Sequence, residues 1–428
     1  MQLPFGKVLQ ICVNGQFDGR AGRRRTFDAT EGMPLRIGMH QQRAGLAADL
    51  PVVGRLQPVE TTTINANIAE HVSGQLAVGI EATALLDEPD TVEIERSYST
   101  RGMDPQFVYG PGASKHSRLA PHMAKIWEAA GIDVVSLASN HAFDWGPDPV
   151  EDTIDLFRGM GKVVIGAGRD EEEARTPQVV ERKGVKIAFL GYCSVLRDGQ
   201  AAGENKSGVS PMRAHTHFAA EEFQPGSPPR VITTPYADDL AALQEDVKKA
   251  KQQADIVIVT IHWGMRILAK TICTYQPPIA HAAIDAGADL ILGHHAHSIK
   301  QIEVYKGKVC FYSIGNFMTT GSPKTSPNSY DWNVVWHRID KECLAPNGRY
   351  FFPTHCRMTM VPKIVMSKKG IERVSFYPAY INPRAQPYQV KSNDPKFAEI
   401  LEFTEWVSDQ VPHKFRVEGD EVVVDTNV

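Results

Sequence analysis

The sequence predicts an α/β fold, and three observations carry that expectation. Short apolar runs, each ended by a glycine or a polar residue, recur at 133–137, 163–165, 185–191, 255–261 and 290–292. Between them lie stretches of helical apolar spacing at 119–130, 150–160, 238–254 and 278–286. Strands that alternate with helices of about ten to fifteen residues argue a layered domain. The third observation is chemical: Glu81, Asn140, His141, His262 and the group His294, His295 and His297 each come directly after an apolar run. In open α/β sheets, sites are built at the C-terminal ends of the strands.

Taken in order, 7–13 is a β-branched apolar run followed by the turn-like pair Asn14-Gly15. The segment 16–58 is rich in Gly, Arg and Ala, with a strand expected at 35–39 and a helix at 41–49. A helix over 62–73 and a strand over 76–80 lead into Glu81. The regular part begins at 119 and includes the acidic helix start 170–175. From 198 to 235 the chain is rich in Gly, Pro and Ser without periodicity, so a long loop or lid is expected there. The runs 301–304 and 308–312 flank Tyr305-Lys-Gly-Lys and predict a hairpin. One domain over 1–385 is expected, with 386–428 as an extension packing on it through a helix at 395–409 and a strand at 421–424.

A chain of 428 residues can bury a large core. With 22% charged residues and a formal net charge of −4, nothing points to nucleic-acid or membrane-surface partners. Arg23, Arg24 and Arg25 form a basic run too short for a polyanion site. The six cysteines lie far apart with no C-x-x-C pair, which argues against a thiolate zinc site and a disulfide scaffold. The first residues lack a basic segment followed by an apolar core. Together these predict a reduced, cytoplasmic protein without a membrane span; homo-oligomerisation is left open.

The stretch 288–317 is the richest in chemistry. Leu290–Leu292 is cut off by Gly293 and followed by His294, His295 and His297. Three imidazoles at a strand end repel one another if protonated, and neutral imidazole is the commonest protein metal ligand. Carboxylate, amide and imidazole without thiolate suit Mn, Fe or Zn, as one ion or two. Two ions would activate water and clamp the charge that develops in hydrolysis.

Five motifs then stand in order: Gly131-Ile-Asp-Val-Val-Ser-Leu-Ala-Ser-Asn-His-Ala-Phe-Asp-Trp-Gly146, Ile261-His-Trp-Gly264, Gly293-His-His-Ala-His297, Gln301-Ile-Glu-Val-Tyr-Lys-Gly-Lys308 and Phe311-Tyr-Ser-Ile-Gly-Asn-Phe317. Over about 75–320 the chain resembles the CapA-type proteins, named for bacterial poly-γ-glutamate capsule synthesis and similar to the calcineurin-like metallophosphoesterases. The resemblance implies a metallophosphatase-like sandwich of two sheets flanked by helices, with a two-metal centre. It implies Glu81, Asn140, His262, His295 and His297 as metal ligands and His141 as the group that protonates the leaving atom. Asp144 either orients His141 or caps the helix that follows. His294 is the odd histidine, expected in an outer sphere or against substrate.

One departure stands out. The family opens with a strand ending in Gly-Asp; here Val13 runs into Asn14-Gly15-Gln-Phe-Asp18-Gly-Arg20. Asn14, Asp18 or His40 is then expected to substitute, or only one ion is held. Arg20, His116, Arg118, His215 and His217 are further candidates for binding a small anionic substrate. Trp145 and Trp263 are expected to wall the pocket, and Asn316 to fix a loop. The expected activity is hydrolysis of an amide or other C–N bond in a small carboxylated molecule. The alternatives are phosphoester cleavage on the same site, or a non-catalytic accessory role in poly-γ-glutamate synthesis.

Overall fold

In a computed structural model the described residues are 11–13, 78–83, 121–220, 229–319, 352–383 and 385–428. The first sheet is made of β1 (Ile11–Val13), β2 (Val78–Thr83), β3 (Val134–Ser136), β4 (Val163–Ile165) and β15 (Met318–Thr319). Their order is β15-β2-β1-β3-β4, and all neighbours pair in parallel. The second sheet comprises β6 (Gln178–Arg182), β7 (Val185–Cys193), β11 (Ile256–His262), β12 (Leu290–His294), β13 (Ile302–Tyr305) and β14 (Lys308–Phe311). Their order is β13-β14-β12-β11-β7-β6. The four central strands are parallel, and the edges, β6 and β13, antiparallel. Every residue of β11 is buried, as expected for a parallel strand covered on both faces.

Helices cover the sheets, which gives the α/β class that the sequence predicts and the two-sheet sandwich that the resemblance implies. A 3-10 turn (Pro121–Ala124) runs into α1 (Lys125–Ala129), so the helix expected over 119–130 is shorter than its pattern. In α2 (Pro147–Gly159) the proline sits in the first turn, where its missing N–H costs nothing. Val150, Thr153, Ile154 and Phe157 form its buried stripe, and Phe157 meets Trp127 edge-on at 5.6 Å. The short α3 (Glu171–Arg175) is capped by Asp170, whose carboxylate accepts from the Glu173 N–H at 2.7 Å. In α4 (Ala237–Gln253) Leu243, Val247 and Ala250 face the core. Its buried Asp246 accepts from Arg175 and from the Tyr192 hydroxyl. α5 (Gln276–Ala286) leads into β12 through Gly287, whose φ of 121° is open to glycine.

These two sheets lie face to face, and small residues let them close up. A Cβ at Gly166 would come within 2.5 Å of the Ala138 Cβ, and one at Gly191 within 3.0 Å of the Ser136 Oγ. At the same level Thr260 Oγ1 donates to Ser136 Oγ at 3.2 Å. The C-terminal ends of β3 and β11 therefore meet just beyond this layer.

Three parts of the chain differ from expectation. The stretch 198–235 is not a featureless loop. It holds β8 (Gly208–Val209), paired with β5 (Ala167–Gly168), and a hairpin of β9 (Ala214–Ala219) with β10 (Arg230–Pro235). The hairpin is exposed on nearly all of β9, so no apolar alternation marks it. Glu81 lies inside β2 and not beyond the end of a strand at 76–80. A third, antiparallel sheet is built on β16 (Met358–Ser367) and β17 (Gly370–Ile381), and of its strands the sequence reading placed only the one at 421–424. Pro362 and Pro378 argue against strands there on local grounds. β18 (Pro387–Gln389), β19 (Phe415–Glu418) and β20 (Glu421–Val424) complete that sheet, and α6 (Pro395–Ser408) lies against β17 and β13. The elements expected at 35–39, 41–49 and 62–73 fall outside the described residues. Among the described residues no helix is long and apolar enough to cross a membrane.

Candidate functional site

β11 and β12 end in register, His262 opposite His294, so parallel pairing sets two imidazoles side by side. Their Nδ1 atoms face each other at 2.6 Å. The other nitrogen of His262, Nε2, is 2.6 Å from Asn140 Oδ1 and 2.9 Å from His295 Nδ1. Asn140 reaches this point from the turn after β3, and His295 from the turn after β12. Three of the five predicted metal ligands thus converge on one spot.

The turn after β12 is strained. His295 and His297 have φ of 86° and 55°, in the left-handed region that L-residues avoid. Such conformations cost roughly 1–2 kcal/mol each and persist where surroundings over-determine them. Here His297 Nδ1 faces Asn316 Oδ1 at 2.7 Å, and Asn316 Nδ2 donates to the His297 carbonyl at 3.4 Å. Asn316 therefore fixes the loop, and it also fixes the His297 ring. The His297 and His295 ring centroids are 6.2 Å apart, so His297 flanks the convergent set.

His141 stands at the rim, with its side chain 37% exposed, and its Nδ1 is 2.8 Å from Asp144 Oδ2. The Asp144 carboxylate is buried and accepts, so His141 carries a proton on Nδ1 and presents Nε2 outward. The helix that follows is capped at Gly146 without a side-chain bond. Of the two readings of Asp144, the geometry gives orientation of His141.

Burial holds these imidazoles neutral. His262 is pushed well below the usual histidine range by burial, and further by the neighbouring His295, His294, His141 and His297. Burial takes His294 down to about 3. His295 is held low by burial first, then by His297 and the Arg266 guanidinium. A buried neutral imidazole keeps a lone pair to give.

Other candidates are placed differently. His294 is 1% exposed and turns toward His262, so it does not face substrate. Trp263 is fully buried, donates to the Tyr312 carbonyl at 2.9 Å and stacks on that ring, which makes it core and not pocket wall. His215 stacks on Tyr236 at 3.9 Å and His217 Nε2 is 3.3 Å from Thr234 Oγ1, both contacts belonging to the hairpin and its flank. Asn14, Asp18, Arg20, His40, His116 and Arg118 lie outside the described residues, and of Glu81 only the backbone is described. Among the described residues no group of three His, Cys, Asp or Glu side chains is arranged to hold an ion; the convergent set is two imidazoles and the Asn140 amide.

A solved structure of a hypothetical protein from Thermus thermophilus is similar with a TM-score of 0.35 and 16% identity, covering 61% of this chain and 81% of that one. A putative 5'-nucleotidase from Staphylococcus aureus matches with a TM-score of 0.35 and 12% identity, covering 85% of this chain and 55% of that one. Identity is higher among curated sequences. The PGA biosynthesis protein CapA of Bacillus subtilis is 33% identical over 204 residues, 47% of each chain. The capsule biosynthesis protein CapA of Bacillus anthracis is 30% identical over 203 residues, 47% of this chain and 44% of that one. A probable polyglutamine synthesis accessory protein of Mycobacterium tuberculosis is 29% identical over 264 residues, 58% of this chain and 63% of that one. The chain spans about half the length of the two Bacillus relatives. The family model described as bacterial capsule synthesis protein PGA_cap matches residues 85–320. That span is more than half of the chain and holds Asn140, His141, His262 and the histidines after β12, and by it the chain belongs to the bacterial capsule synthesis protein family.

Proposed function

We propose that this protein is a metal-dependent hydrolase acting on an amide or other C–N bond of a small carboxylated substrate. One observation carries the reading: Asn140 Oδ1 and His295 Nδ1 both close on His262 Nε2, at 2.6 and 2.9 Å. Two ligand atoms about 2.1 Å from an ion and at right angles to each other lie about 3 Å apart. The donor set therefore fits a divalent cation of the Mn, Fe or Zn kind. Each neutral imidazole has one ring nitrogen with a lone pair, and the amide oxygen has two, so each member of the set has a lone pair to offer an ion. Glu81, His297 and whichever of Asn14, Asp18 or His40 replaces the missing aspartate are the further ligands we assign, for one ion or two.

Such an ion supplies Lewis acidity and makes water nucleophilic near neutral pH. The chain's own residues do the rest. Asp144 holds the His141 ring and favours its doubly protonated form, and that imidazolium gives its Nε2 proton to the departing nitrogen or oxygen at the rim. Asn316 steadies His297, and the layer of small residues holds Asn140 against His262. Because amide and phosphoester cleavage both need a polarised oxygen and a protonated leaving group, phosphoesterase activity is the second reading.

The names of the relatives bear on the substrate. Two are named for PGA or capsule biosynthesis and one as a probable polyglutamine synthesis accessory protein, which supports a glutamyl polymer or fragment as the carboxylated molecule. A non-catalytic accessory role is the rival. The test is metal content by mass spectrometry, together with turnover of γ-glutamyl amides and of p-nitrophenyl phosphate before and after chelation. The hydrolase reading expects bound metal, turnover that chelation abolishes, and loss of both in His262→Ala. Polyglutamate binding without chelator-sensitive turnover would sink it.

A further inference from the structure

The loop after β11 folds back against the turn that carries His295 and His297. At its centre Ile267 has φ of 73°, an outlier for a β-branched residue. The Leu268 N–H donates to the Arg266 carbonyl at 2.8 Å, so 266–268 form a γ-turn of the rare, strained kind. The Ile267 N–H donates to the Ala296 carbonyl at 2.7 Å. Ala296 is the one residue between the two histidines, so a rotation of its backbone swings one ring relative to the other.

What holds Ile267 in place comes from beyond residue 320, where the match to the family model ends. The 3-10 turn Thr354–Arg357 opens the third sheet, and from it His355 Nε2 donates to the Ile267 carbonyl at 2.7 Å. Phe352, 2% exposed, shares a small apolar cluster with Ile267 and sets its ring against His297, with centroids 4.5 Å apart. Just past the turn, Thr359 Oγ1 on β16 donates to the Ile314 carbonyl at 3.0 Å, two residues before the Asn316 that fixes His297. No motif marks Phe352, His355 or Thr359 in the sequence, yet all three bear on the histidine turn.

We propose that His355 is a positioning residue, which holds the strained turn at Ile267 and, through the Ile267–Ala296 bond, the His295–His297 turn. L-residues stay left-handed only where their surroundings over-determine them, and the segment 352–359 supplies part of that determination. Hydrogen bonds behind metal ligands orient them in the same way. The proposal rests on the hydrolase reading for the ion, but not for the shape of the turn.

The test uses the full chain with Co²⁺ as the probe and compares wild type with His355→Leu and His355→Gln. Leucine fills the space without a donor; glutamine keeps an N–H for the Ile267 carbonyl. Cobalt affinity is read by competition with a chelator, and the imidazole ¹⁵N signals are read on metal-free protein, both well below the melting temperature. His355→Leu is expected to bind cobalt about 10–100-fold more weakly. It should also move the His295 and His297 signals while those of His215 and His217 hold. His355→Gln should recover both; if His355→Leu does not fold, His355→Ala takes its place. A lower melting temperature with affinity and signals unchanged would leave His355 a structural residue and overturn the proposal. Equal losses in His355→Leu and His355→Gln would overturn it too, since the bond to Ile267 would not be the cause. A wild type that takes up no cobalt sinks the hydrolase reading; the imidazole signals then decide alone, moved ones upholding the proposal and unmoved ones overturning it.

Discussion

His295 and His297 are separated by one residue, and so are His215 and His217, but the first pair follows a fully buried parallel strand and the second lies on an exposed hairpin. The buried pair has strained backbone, an amide holding one ring, and a neighbouring strand end that brings a third imidazole within 2.9 Å. The hairpin pair sits in ordinary extended backbone and touches Tyr236 and Thr234. Identical spacing therefore says little by itself. What separates the two is whether the preceding strand is held on both sides, so that the residue after its last apolar position has only one place to go.

The comparison is tested hardest at the rim of the buried site. Asp144→Asn should leave the His141 ring in place but remove the charge that favours its protonated form. If His141 is the proton donor, turnover falls about 10²–10⁴-fold while metal content is unchanged. A change in metal content, or no change in rate, breaks the link between the Asp144–His141 pair and catalysis.

The next effect is on stability. A Cβ at Gly293 would meet the Tyr312 carbonyl oxygen at 2.1 Å and Trp263 Nε1 at 2.5 Å. Neither can yield, since the one is backbone and the other is a buried ring already bonded to it. Gly293→Ala should cost about 3 kcal/mol in urea unfolding. Thr216→Ala on the exposed hairpin should stay within about 0.5 kcal/mol. Similar losses at both places would mean that the two regions do not differ in packing.

Much of this was legible in the sequence, and the reason is physical. Where parallel strands are buried on both faces, an apolar run must end where the sheet ends, so His262, His294 and Asn140 could be placed at strand ends from the pattern alone. That they converge depends on Ser136, Ala138, Gly166 and Gly191 letting two sheets approach, and small residues carry no periodic signal. The β9–β10 hairpin was missed because strands without a buried face do not alternate. β16 and β17 were missed because Pro362 and Pro378 speak against strands locally, while the antiparallel pairing from Met358 to Ser367 overrides them.

The buried Lys300 ammonium, which clamps the loop after β11 by donating to the Leu268 carbonyl and to that of Thr271 at 2.9 Å, gives a pH-dependent contrast. Burial pushes the Lys300 ammonium down to about 8, against an unfolded value near 10.4. Between those values the unfolded chain keeps a proton that the folded chain has released, so stability attributable to Lys300 rises with pH across that window. Below pH 8 both states are protonated and the full cost of burying the charge is present. The rise amounts to about 3 kcal/mol in total. Unfolding free energies at pH 7.5, 9 and 10 for wild type and Lys300→Met should therefore diverge in favour of wild type as pH rises. Parallel curves would mean that the ammonium is solvated and that the clamp under Leu268 and Thr271 is not buried.

The smallest effect is expected where the comparison began. His217→Ala removes a 3.3 Å contact with Thr234 on an exposed strand, with no buried group left behind. Surface changes of this kind stay within about 0.5 kcal/mol. Metal content and turnover should equal wild type. The hairpin is held instead by Thr233, whose N–H donates to Thr274 Oγ1 and whose carbonyl accepts from it, both at 2.7 Å, so losing an imidazole does not free it. A loss of turnover in His217→Ala with stability intact would mean that the hairpin reaches the substrate. The contrast between a buried and a solvated histidine pair would then give way to one between the residues that hold the ion and those that hold the substrate.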